Sequence, residues 1–102
     1  MHDYQAPAGL LNDKVILVVG AGAGIGRQAA LEYGASGATV ILLGRTTSKL
    51  EAVYDELVAN GAPEPAIIPL DLQGATKSHY QDMAETLKQQ FGRLDGVLFN
   101  AS

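Results

Sequence analysis

The sequence predicts an α/β fold, a doubly wound parallel sheet, and three observations carry that expectation. Four short apolar runs rich in branched residues and leucine are separated by three helix-like stretches, and glycine or proline stands at most of the junctions. Strict β-α-β-α-β-α-β alternation buries parallel strands between helices on both faces, joined by right-handed crossovers. Ligands of such sheets bind beyond the carboxyl ends of the strands, so function is expected in residues 20–26, 44–46, 71–72 and 100–102.

The elements follow in order. After a loose start, MHDYQAPAG, residues 15–19 read VILVV, a continuous run suited to a strand buried on both faces. RQAALEYGASG then predicts a helix whose small-residue face, Ala29, Ala30 and Tyr33, packs closely on a sheet and which ends at Gly37. Residues 39–43 form the second strand. In TTSKLEAVYDELVANG, Ser48 and Glu51 fit a capping box, and Leu50, Val53, Tyr54, Leu57 and Val58 recur at helical spacing. Asn60 and Gly61 close that helix, and Pro63 and Pro65 prevent its extension. Residues 66–70 make a third strand, weakened near its end by Pro69. A third helix aligns Tyr80, Met83, Ala84, Leu87 and Phe91 and stops at Gly92, and residues 96–99 supply a short fourth strand.

With 102 residues the chain forms one domain, residues 1–10 being an arm, around one modest core. Its 47% hydrophobic and 18% charged residues are those of a globular chain. Seven basic against eleven acidic residues leave a net charge of −4, which disfavours nucleic acid and anionic membranes as partners. The absence of cysteine excludes disulfides and thiolate chemistry, and with only His2 and His79 no metal site is expected. No apolar run approaches the roughly 18 residues of a membrane span, so a cytoplasmic protein is expected.

The densest signal is VVGAGAGIGRQAA, residues 18–30. A strand ending at Val19 and a helix starting near Gly24 need a tight turn, which Gly20 supplies. A pyrophosphate seated on the helix N-terminus needs bare backbone N–H groups. Gly24 and Gly26 clear that approach, and Gly26 also lets helix and strand pack closely. G-x-G-x-x-G is not matched, since Ile25 and Arg27 occupy the third positions, and no Gly-Lys pair makes a nucleotide triphosphatase loop. Two motifs remain. Gly20, Gly22 and Gly24 make G-x-G-x-G, similar to methyltransferases that bind S-adenosylmethionine, whereas Gly20, Gly24 and Gly26 make G-x-x-x-G-I-G. A free ribose diol calls for a carboxylate at the end of the second strand. This chain has LLGRT instead, with Gly44 in the acid's place, then Arg45 and Thr46. The planar donor fork of arginine suits a 2′-phosphate, which favours NADP.

At this point KVILVVGAGAGIGR resembles the strand-turn-helix motif of the short-chain dehydrogenase/reductase family, with Val19 where threonine is usual. GATVILLGR resembles the family's second strand, LDL at 70–72 its adenine-pocket motif, and FNAS at 99–102 its N-N-A-G motif, from which Phe99 and Ser102 depart. The resemblance runs over about residues 10–102 and implies a Rossmann-type NADP-binding domain. The parent enzyme is then expected to transfer hydride between NADP(H) and a carbonyl or alcohol, as a homo-oligomer. It further implies that Asp71 accepts from the adenine amino group with the Leu72 backbone beside it, and that Ile25 offers its amide near the pyrophosphate or nicotinamide. Asn100 and Ala101 would line the floor between ribose and nicotinamide. Arg27 is expected to be a solvated helix residue.

The family's chemistry uses a tyrosine with a lysine four residues later. Here Tyr4, Tyr33, Tyr54 and Tyr80 are followed at that position by Ala8, Gly37, Val58 and Ala84. No catalytic residue is therefore expected in this chain, which holds the adenosine half of the cofactor site and should be inactive alone, its fourth strand an apolar edge. Two alternatives of other classes are a stand-alone nucleotide-binding or sensor module and a methyltransferase-like S-adenosylmethionine-binding fragment. A Tyr-x-x-x-Lys encoded some fifty residues downstream would separate the enzyme from the module, and thermal protection by S-adenosylmethionine but not NADP would mark the methyltransferase.

Overall fold

The structure, a computed structural model, describes residues 11–22, 24–69 and 77–99. The elements are β1 (Val15–Val19), α1 (Gly24–Ala35), β2 (Thr39–Gly44), α2 (Thr47–Ala59), β3 (Ala66–Pro69), α3 (Lys77–Phe91) and β4 (Gly96–Phe99). The strands are parallel in the order β3-β2-β1-β4, with Val15 in register with Thr39 and Ile16 with Gly96. The chain winds outward from β1 to β3, then crosses to the other side of β1 to lay down β4. The order reverses between β1 and β4, and in this topology the crevice at the carboxyl ends there is where ligands bind.

Central β1 is buried along its whole length, as its unbroken VILVV run requires. Its side chains alternate between two cores. Ile16 and Val18 join Val40, Leu42, Leu50, Val53 and Leu57 beneath α1 and α2, while Val15, Leu17 and Val19 join Ile41, Leu43 and Leu87 beneath α3. Each fully buried aliphatic side chain, such as Leu17 or Ile41, contributes about 1.5–3 kcal/mol of transfer free energy. Pro69 is tolerated at the end of β3 because β3 is an edge strand, where a missing N–H leaves no ladder bond unmade.

The helix faces differ in detail from the sequence expectation. The buried stripe of α1 is Gly26, Ala30 and Gly34, four residues apart, with Ala29 and Tyr33 at its margins. A side chain at Gly34 would run into Leu57 and stand 3.1 Å from the Cβ of Ala62, so this glycine permits the close approach of α1 and α2. In α2, Leu50, Val53 and Leu57 are buried, whereas Val58 is 48% exposed. The predicted capping box is absent. The N-cap is Thr46, without a side-chain cap bond, and Ser48 lies inside the first turn because only Arg45 and Thr46 separate β2 from the helix. Both helices end as their glycines require. Ala38 N–H donates to Tyr33 O and Gly37 N–H to Gly34 O, and the same pair of bonds recurs from Ala62 to Leu57 and from Gly61 to Val58.

Two ion pairs are seen among the described residues. Arg27 on α1 donates both amino and ε hydrogens to Glu56 on α2, at 2.6 to 3.2 Å, which occupies Arg27 away from any phosphate. At the start of β1, Asp95 accepts from the Val15 N–H at 2.8 Å and, in a fork, from Arg93. The Arg93 hydrogen bonds first, then the Val15 N–H, hold the Asp95 carboxyl below its ordinary value. A carboxylate depressed in the folded state stabilises above its unfolded value of about 4, and that contribution is lost as pH falls through the folded value. Asp95→Asn should therefore lower the melting temperature at pH 7, and its gap from the parent should narrow on acidification below about pH 4. A gap constant from pH 7 to pH 3 would show that the carboxylate's charge contributes nothing.

Candidate functional site

The carboxyl end of the sheet brings the β1–α1 turn and the β2–α2 link side by side. Gly20 N–H and Ala21 N–H both donate to the carbonyl of Leu43, at 2.7 and 3.2 Å, so the turn is hydrogen-bonded to the end of β2. Gly20 has φ +81° and Gly24 φ +59°, a backbone region where L side chains are strained. Gly22 has another reason to be glycine. A Cβ there would stand 3.0 Å from the Cβ of Lys49 and 3.7 Å from its Cδ, with Leu50 at 3.9 Å, so the start of α2 lies directly against the turn. The middle glycine of the G-x-G-x-G pattern, Gly22, is thereby explained by packing between neighbouring units. Gly26 is buried within α1.

Around Gly24 the opposite holds: a Cβ built there meets no atom within 4 Å. The first turn of α1 is therefore open to the outside, with Ile25 beside it 74% exposed. Neither α1 nor α2 carries an acidic residue in its first turn, so both N-terminal ends keep the partial positive charge of their free N–H groups. An open, bare, positively polarised turn fits a pyrophosphate, which is the test the residues must pass to hold a dinucleotide.

The end of β2 differs from a ribose-diol site. Gly44 is in register with Pro69, and a Cβ at Gly44 would press on Leu50 Cδ2 at 3.2 Å. Arg45 and Thr46 follow, both exposed, and the Arg45 side chain has no hydrogen-bond or ion-pair partner among the described residues. Gly20, Gly22, Gly24, Ile25 and Gly26 thus stand beside Arg45 and Thr46 at one end of the sheet. Asp71, Leu72, Asn100 and Ala101 lie outside the described residues. Leu50, expected only on the buried face of the helix, and Lys49, for which no role was expected, are the side chains that meet the glycine turn. Among the described residues no group of His, Cys, Asp and Glu could hold a metal ion, and no helix is long and apolar enough to cross a membrane.

Known proteins share this arrangement. The short chain dehydrogenase family pattern matches residues 14–102. The oxidoreductase YciK of Escherichia coli K12 is 46% identical over 101 residues, which cover 99% of this chain and 40% of that protein. A short chain dehydrogenase structure from Pseudomonas syringae is 50% identical, with a TM-score of 0.86 over 100% of this chain and 42% of its own. One from Shigella flexneri, solved in complex with NADP, is 46% identical with a TM-score of 0.79, covering 91% of this chain and 39% of its own. The chain spans about two fifths of the length of these relatives. LLND, VILLGRT and RLDGVLFNAS resemble the YciK-like branch of the family, and YciK and its neighbours are among the relatives matched. The chain belongs to the short-chain dehydrogenase family.

Proposed function

We propose that this chain is the NADP-binding portion of a cytoplasmic oxidoreductase that transfers hydride between NADP(H) and a carbonyl or alcohol substrate. The observation that carries the reading is the pairing of an open glycine turn at Gly24 with Gly44-Arg45 in place of a carboxylate. The relative from Shigella flexneri that binds NADP supports it. When bound, the nicotinamide supplies the hydride acceptor or donor. The chain's own residues hold the other half. The N–H groups of the first turn of α1 meet the pyrophosphate, Gly24 keeps its approach clear, and Arg45 with Thr46 meets the 2′-phosphate. Asp71 and the Leu72 backbone take the adenine, Ile25 offers its amide near the pyrophosphate or nicotinamide, and Asn100 and Ala101 line the floor between ribose and nicotinamide.

A cation at the end of β2 favours a 2′-phosphate and offers a bare ribose diol no acceptor, so NADP(H) should bind the full-length protein more tightly than NAD(H). Titration of both dinucleotides by calorimetry checks this. Equal affinities, or tighter NAD, would remove the reading.

A further inference from the structure

The contact of Lys49 with the glycine turn reaches beyond the assignment of Arg45. Lys49 is the third residue of α2 and is exposed. On an isolated helix it would be a solvated charge. Here its stem lies over Gly22, whose absent Cβ would stand 3.0 Å from Lys49 Cβ and 3.7 Å from Lys49 Cδ. The methylenes therefore run along the turn, and the ammonium lies two bonds past an atom already beside it. The Lys49 ammonium has no ion-pair partner among the described residues, whereas Glu56, further along α2, is taken by Arg27. A phosphate monoester carries about −1.5 to −2 charges at neutral pH, more than one guanidinium balances.

We propose that Lys49 is a second specificity-determining cation, which meets the 2′-phosphate of NADP together with Arg45. This rests on the NADP reading above. Arg45 supplies the planar fork, and Lys49 supplies a point charge on a stem that packs over Gly22. Less side-chain freedom is then lost on binding than for an untethered lysine.

The test uses the full-length protein with Lys49→Met, which keeps the methylene stem on Gly22, and Lys49→Arg, which keeps the charge. Lys49→Met should weaken NADP binding about three- to tenfold, leave NAD binding unchanged, and make NADP binding less dependent on salt. Lys49→Arg should restore most of the NADP affinity. An equal fall for both dinucleotides would put Lys49 at the pyrophosphate or in the turn's structure, and no change would leave it solvated; either overturns the proposal while the parent's preference for NADP stands. A parent that prefers NAD, or binds neither, is a separate result and removes the underlying reading.

Discussion

Gly24→Val in the full-length protein should lower the affinity for NADP and NAD alike by at least about 100-fold, roughly 2.7 kcal/mol. A charge-assisted hydrogen bond contributes about 1.5–3 kcal/mol, so displacing a pyrophosphate from two N–H groups reaches that loss. A Cβ at Gly24 meets no protein atom within 4 Å, so the branched side chain obstructs the ligand's approach and not the fold's packing. It does carry backbone strain, because φ is +59° and a side chain in that region costs about 1–2 kcal/mol. Gly61 provides a matched control. It has φ +81° and equally open surroundings, but it follows α2, at the opposite end of the sheet. Gly61→Val should lower the melting temperature comparably and leave both affinities intact. Binding retained by Gly24→Val, or lost by Gly61→Val, would place the dinucleotide away from the β1–α1 turn.

The contrast between those two glycines shows what the sequence made legible. Unbroken apolar runs announce strands, so β1 and β4 begin and end where those runs do, although only β1 is buried along its length and β4 alternates half-buried with exposed residues. Asn60-Gly61 signalled the end of α2 through backbone chemistry confined to a few residues. The glycine cluster likewise marked the site, and the turn at Gly20 and the open approach at Gly24 were legible, yet the reason for Gly22 was hidden, because it is a contact with Lys49, 27 positions further along the chain. Ser48 looked like a cap because its spacing from Glu51 is right. The link from β2 is too short for that, and α2 begins at Thr47. Arg27 shows the same limit: solvation followed from its position, while its fork onto Glu56 follows from the α1–α2 packing that Gly34 permits.

Arg45→Ala in the full-length protein should weaken NADP binding ten- to a hundredfold, the loss of a charge-assisted contact of about 1.5–3 kcal/mol. NAD lacks the 2′-phosphate, so its affinity should hardly move. The Arg45 side chain has no partner among the described residues, and its removal breaks no described ion pair. Adding Gly44→Asp should reverse the preference, since a carboxylate repels the phosphate and accepts from the NAD ribose. The structure sets a condition on that reversal. The new Cβ lies 3.2 Å from Leu50 Cδ2, and Leu50 is only 1% exposed, so the double variant should also melt at a lower temperature as Leu50 gives way. The Arg45→Ala loss should shrink at high salt, where screening already weakens the parent's contact. A fall in NAD affinity equal to that in NADP affinity would mean that Arg45 serves the fold or the adenine pocket, and the choice of NADP over NAD would then lack its main support in this chain.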